Sequence, residues 1–137
     1  LTGKQVYDSQ WKHIDMYEPQ HIKIASNADI MLIAPCTMDM LAKLANGHTD
    51  DPVTLVASAI DRNTTPVIIA PSMNTTMLNQ HSTQRNLRIL SDDGFTILDC
   101  EDGWQACRAV GTGRLPEPET LLLALQVALN QKSTVSY

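Results

Sequence analysis

The 137-residue chain lacks any apolar run near the ~20 residues that a membrane-spanning helix needs. It also lacks the charged segment followed by an apolar one that marks a secretory leader. Both absences point to a soluble, cytoplasmic protein. There is no cluster of Lys or Arg, and the net charge is -5. Nucleic acid is excluded on that ground, because neutralising phosphates needs a basic face, and acidic partners are disfavoured with it. The three cysteines, Cys36, Cys100 and Cys107, give neither the even count of a disulfide framework nor a C-x-x-C metal pair. Free thiols in a reducing compartment fit them best, with no metal site. No internal repeat, low-complexity tract or Pro/Gly-rich linker divides the chain. What is present is 43% hydrophobic and 18% charged, the material of one globular domain with a real core.

The opening "LTGKQVYDSQW" begins at Leu1 and has neither a cap nor a periodicity, so the chain reads as a fragment: a domain over 1–131 and a frayed tail over 132–137. Ile22, Ala25 and Ala28 are spaced as on a helix from Glu18 to Ala28, and "DIMLIAP" (29–35) follows as an apolar strand with both faces buried. Thr37 is the expected N-cap of the next helix and Gly47 its C-cap; "DPVTLVASAIDR" (51–62) is a further helix with Pro52 near its start. A strand over 66–70, a helix over 83–94, a strand "FTILDC" (95–100) and a strongly apolar terminal helix over 117–132 complete the pattern. Continuous apolar strands alternating with helices predict parallel βαβ units: a Rossmann-like, flavodoxin-like, three-layer αβα domain. In such sheets ligands sit beyond the carboxyl ends of the strands.

Those ends carry "APCTMDM", "APSMNTTM" and the loop "EDGWQACRAVGTGR". Together with "HIKIASNADIMLIAP", "APCTMDMLAKLANGHTDD", "PSMNTTML" and "ACRAVGTGR", they resemble, in the right order, the motifs of the flavin mononucleotide-dependent cysteine decarboxylases, and among these the phosphopantothenoylcysteine decarboxylases of the coenzyme A pathway. The resemblance runs from about Leu1 to Pro118. It implies His21 and Cys107 as catalytic residues, Asn74 and Met77 as the substrate-contacting pair, and Thr37, Met38, Asp39 and Met73 beside FMN. The chain departs from the family pattern at Leu78, where Trp is usual, at Asp39-Met40, where Asn-Thr is common, and at Arg108-Ala109, where Gly-Asp is common. Family members also begin with a glycine-containing turn that holds the flavin phosphate. The chain starts downstream of that turn, so it is expected to bind FMN more weakly than one extended upstream.

Each of these residues has a plainer use. A lone histidine on an amphipathic helix is commonly a half-exposed surface residue, and methionines commonly fill gaps in cores. Asn74 can cap a helix, which leaves substrate contact compatible. Cys107 sits among Gln105, Arg108 and several glycines, which describe a mobile, exposed loop with a cation that favours thiolate. Cys36 and Cys100 abut strands and read as core. The lone Gly-x-Gly of "GTGR" is weak evidence for phosphate binding.

The resemblance further implies a chemistry. Oxidation of a cysteine thiol to a thioaldehyde creates an electron sink, carbon dioxide leaves, and the reducing equivalents return to give an amine thiol, 4'-phosphopantetheine from 4'-phosphopantothenoylcysteine. It implies a homo-oligomer, trimeric or a multiple of it, and fusion to or partnership with phosphopantothenate-cysteine ligase. Three alternatives stand beside it. One is a peptidyl-cysteine decarboxylase of the lantibiotic type, against which Cys107 argues. Another is a non-catalytic regulatory relative, against which His21, Asn74 and Cys107 together argue. The last is an inert folding fragment.

Overall fold

The computed structural model describes residues 3, 6–9, 19–104 and 110–134. In chain order the elements are α1 (Gln20–Ser26), β1 (Met31–Cys36), α2 (Met38–Ala45), α3 (Pro52–Ala59), β2 (Val67–Pro71), α4 (Thr75–Leu78), α5 (His81–Asp92), β3 (Thr96–Ile97), β4 (Glu101–Trp104), β5 (Val110–Arg114) and α6 (Pro118–Thr134).

β1, β2 and β3 form a parallel sheet in that order, with Ile33 opposite Ile69 and Ile69 opposite Ile97. β2 is central, and all five of its residues are buried. Its unbroken apolar run is what a strand covered on both faces requires. β1 departs from the expectation of two buried faces: Ile33 and Cys36 are buried, but Ala34 and Pro35 are exposed. The register shift between Ile33 and Cys36 lifts these two out of the ladder. α2 packs on α5, and α1 on α3. Leu41, Leu90, Val56, Val67, Ile69 and Phe95 join them to the sheet in one core.

Local rules explain the helix ends. The Thr37 hydroxyl accepts the Met40 N–H at 3.2 Å and starts α2. At its end Gly47 takes a φ of 68°, and the His48 N–H returns to the Lys43 carbonyl at 3.0 Å. Only glycine adopts that conformation without strain. Asp51 caps α3, accepting the Val53 and Thr54 N–H groups at 2.9 and 3.0 Å, with Pro52 at the first helical position.

Two further expectations are corrected. The third strand is only Thr96–Ile97, because after the Leu98 N–H bonds the Ile69 carbonyl the chain turns away from the sheet. The glycine-rich stretch read as a loop instead forms an antiparallel hairpin, β4 with β5, in which Gly103 faces Gly111. A glycine on each strand at the same level removes the side chains that a strand pattern would have displayed. Residues 105–109 lie outside the described residues. α6 is the expected terminal helix, continuing to Thr134, but Leu122, Leu123 and Val127 stay exposed on it. Among the described residues, no helix is long and apolar enough to cross a membrane.

Candidate functional site

The carboxyl ends of β1 and β2 run side by side. Cys36 is the register partner of Pro71, and the Ser72 N–H donates to the Cys36 carbonyl at 3.1 Å. The hairpin closes on the same edge: the Met73 N–H donates to the Gly113 carbonyl at 2.9 Å, and the Cys100 thiol donates to the Pro71 carbonyl at 3.2 Å. Three segments far apart in sequence therefore meet where a parallel sheet offers a ligand site.

Of the residues singled out in the sequence, Thr37, Met38, Asp39, Met73, Asn74 and Met77 all lie on this edge, in the turns that leave β1 and β2 or in the helices α2 and α4 that those turns start. Met38, Met73 and Asn74 are half-buried, whereas Met77 is 42% exposed. The Asn74 side-chain oxygen accepts the Thr76 N–H at 2.8 Å, so the expected cap of α4 is made. Asp39 is exposed and lies 3.7 Å from Lys43 Nζ, which also reaches Asp50 and Asp51 at 3.2 and 3.3 Å. Hydrogen bonds that the Lys43 ammonium donates to Asp50 and then Asp51 hold it above its ordinary range. Burial works against the charge of Asp51, but the bonds from the Thr54 N–H and from Lys43 outweigh it and bring the carboxyl below its ordinary range.

His21 stands half-buried in the first turn of α1. Cys107 lies outside the described residues. Cys36 has no exposed surface, and burial pushes its thiol up to about 12. Cys100, only half-buried, is pushed up by burial and then by Asp99. Both thiols are neutral at physiological pH.

Sequence reasoning missed the supports of this edge. Thr83, fully buried on α5, donates its hydroxyl to the Met77 carbonyl at 2.7 Å, and Gln84 Nε2 bonds the Leu78 carbonyl at 2.8 Å, so α5 fixes the end of α4. Thr83 and Gln84 carry a local signal, two polar residues just after a short turn. Cys100 and Gly113 carry none, because their partners are long-range. A cleft of about 440 Å³ lined by Arg62, Pro66, Thr96 and Lys132 lies at the opposite, amino-terminal edge of the sheet and takes no part in this arrangement.

Known proteins are similar to this chain in sequence and fold. The family model described as Flavoprotein matches residues 1–129. The coenzyme A biosynthesis bifunctional protein CoaBC of Bacillus subtilis (strain 168) is 38% identical over 122 residues, which is 89% of this chain and 29% of that protein. The probable phosphopantothenoylcysteine decarboxylase of Streptococcus mutans is 34% identical over 129 residues, 94% of this chain and 72% of that one. The chain thus spans less than a third of the bifunctional relative. Among solved structures, a cysteine-to-serine mutant of PPC decarboxylase complexed with pantothenoylaminoethenethiol superposes with a TM-score of 0.83 at 30% identity, covering 88% of this chain and 68% of that one. The FMN binding protein AtHal3 gives 0.78 at 30% identity, over 88% and 67%. At this similarity the fold is the same, an α/β flavodoxin-like domain.

Proposed function

We propose, since the chain belongs to the Flavoprotein family, that it carries out the FMN-dependent decarboxylation of 4'-phosphopantothenoylcysteine to 4'-phosphopantetheine in coenzyme A biosynthesis. The observation that carries this reading is the meeting of Thr37–Asp39 with Met73–Met77 at one sheet edge, in a chain similar to a probable phosphopantothenoylcysteine decarboxylase.

The residues of that edge suit a flavin. Met38 and Met73 are half-buried, flexible and polarisable, which is what a flat conjugated ring packs against, and Thr37 and Asp39 offer polar atoms at the start of α2. These four would hold FMN. When bound, FMN supplies two-electron oxidation of the substrate thiol carbon and the return of that pair.

The protein's own part is to hold, exclude and protonate. Asn74 donates its amide N–H groups to the substrate carboxylate and fixes it across the scissile bond. Met77 walls the apolar side of the substrate, where loss of the charged carboxylate is favoured by a poorly hydrated surrounding. His21 takes up the charge of the thiol or of the ene-thiolate left by carbon dioxide. Cys107 delivers the last proton to carbon, a task within reach of a thiol whose ordinary pKa is about 8.5. In this reading the protein acts in the cytoplasm as a homo-oligomer and works with a phosphopantothenate-cysteine ligase, and the similarity to bifunctional coenzyme A biosynthesis proteins supports the second of these.

Mass spectrometry of the product tests the reading. FMN-loaded protein given 4'-phosphopantothenoylcysteine is expected to release a species lighter by about 44 mass units, one carbon dioxide, and Cys107→Ser a species lighter by about two hydrogens more, the unreturned pair. No loss of carbon dioxide by the loaded wild type overturns the function. A fully reduced product from Cys107→Ser at the normal rate overturns only the role of Cys107.

A further inference from the structure

We propose that the stem of the β4–β5 hairpin sets the direction of the Met73–Asn74 turn, with Cys100, Glu101 and Arg114 as positioning residues; this rests on the reading of Asn74 as the carboxylate contact. Two consecutive peptide groups leave the end of β2, and three bonds hold them from outside. The Pro71 carbonyl takes the Cys100 thiol at 3.2 Å, the Ser72 N–H goes to the Cys36 carbonyl at 3.1 Å, and the Met73 N–H goes to the Gly113 carbonyl at 2.9 Å. Two of these three bonds come from the base of the hairpin stem, one from each side: one residue before β4 and one within β5. Asn74 is the very next residue, so its Cα–Cβ direction follows the plane of a peptide that the stem holds.

The stem is itself tied down. Glu101 and Arg114 are cross-strand partners at its base. The Glu101 carboxylate accepts the Glu117 N–H at 3.4 Å and the Thr120 hydroxyl at 3.3 Å, while Arg114 pairs with the Glu117 carboxylate. Both strands are thereby fastened to the first turn of α6, where a carboxylate also meets the positive end of the helix dipole. At its far end α6 is fastened in turn, as Lys132 Nζ bonds the Asp29 carbonyl at 3.3 Å just before β1. The chain of contacts closes on the sheet. A thiol serves at Pro71 because Cys100 is half-buried beside Asp99 and keeps its proton, leaving an S–H to donate.

The test pairs amide exchange with kinetics in the full chain, using Cys100→Ala, Cys100→Ser and Glu101→Ala, with Asn74→Asp as a control. Cys100→Ala and Glu101→Ala are expected to speed exchange at the Met73 amide and to cut kcat/KM for 4'-phosphopantothenoylcysteine by about fivefold, the worth of one hydrogen bond. Cys100→Ser restores a donor and is expected to recover both. Equal losses in Cys100→Ala and Cys100→Ser, or unchanged Met73 exchange in Cys100→Ala and Glu101→Ala, overturn the proposal. If Asn74→Asp abolishes turnover while Cys100→Ala does not alter it, the positioning role fails and the reading of Asn74 stands. If Asn74→Asp turns over normally, that reading fails and this inference with it.

Discussion

Replacing Asn74 with aspartate separates two uses of one side chain. As a cap, Asn74 satisfies the Thr76 N–H through its side-chain oxygen at 2.8 Å. Aspartate can do the same, since asparagine and aspartate rank equally at this position, so Asn74→Asp is expected to leave thermal stability within about 0.5 kcal/mol of wild type. Alanine cannot. Asn74→Ala is expected to cost about 1 kcal/mol, which for a domain of 137 residues lowers the melting temperature by roughly 3–5 °C. As a carboxylate contact the order reverses in kind. Asn74→Asp puts like charge against the substrate carboxylate, a juxtaposition worth several kcal/mol where water is excluded, and each ~1.4 kcal/mol is a factor of ten. kcat/KM is then expected to fall by at least about 100-fold in a variant that melts like wild type. Circular dichroism melts and product formation on the same samples read both quantities. Retention of kcat/KM within about threefold refutes the carboxylate contact, and a melting temperature as low as that of Asn74→Ala refutes the capping argument.

Leu41 has no exposed surface and lies where α2 meets the core, so Leu41→Ala is expected to cost about 2.7–5 kcal/mol by urea denaturation; a cost under about 1 kcal/mol would contradict its place in the core. Asp51 carries a pH dependence whose sign follows from its lowered folded-state pKa. Its charge stabilises the fold above the unfolded carboxylate value of about 3.9, and that contribution is lost as the pH falls through the lower folded value. Asp51→Asn keeps a cap for α3 but is expected to lose the corresponding acid limb, measured as the difference in unfolding free energy between neutral and acid pH. An unchanged acid limb would dismiss Asp51 as its source.

What was legible in the sequence was whatever local chemistry decides. Thr37 and Gly47 mark helix ends because the backbone groups they satisfy lie within a few residues, Pro52 marks the start of α3, and the apolar run of β2 announces a strand covered on both sides. The hairpin was not legible. Its pairing sets Gly103 against Gly111, and glycines display no alternation of polar and apolar side chains. The third strand was overread for the opposite reason. "FTILDC" is largely apolar and reads as a full strand, but only Thr96 and Ile97 find a partner in β2 before Cys100 is drawn to the Pro71 carbonyl. Burial separates the two cysteines that sequence grouped together: Cys36 is inert core, whereas Cys100 is half-exposed and makes a bond across 29 residues.

The same division runs through the candidate site and explains its construction. Thr37 and Asn74 stand out in the sequence as helix starters, and both lie on the edge where the sheet offers a ligand site. A side chain that caps a helix has its rotamer fixed by folding, so the entropy of orienting it is already lost before a substrate arrives. Capping is therefore one way of preorganising Asn74. Capping alone fixes the side chain relative to α4, a helix of only four residues. A turn that short cannot hold its own direction, and the bonds that aim it come from Thr83 on α5 and from the hairpin through Gly113. The residues proposed for chemistry are thus those that the family resemblance implies, with Thr37 and Asn74 marked by local capping rules as well, whereas those that aim them emerge only once distant segments are brought together.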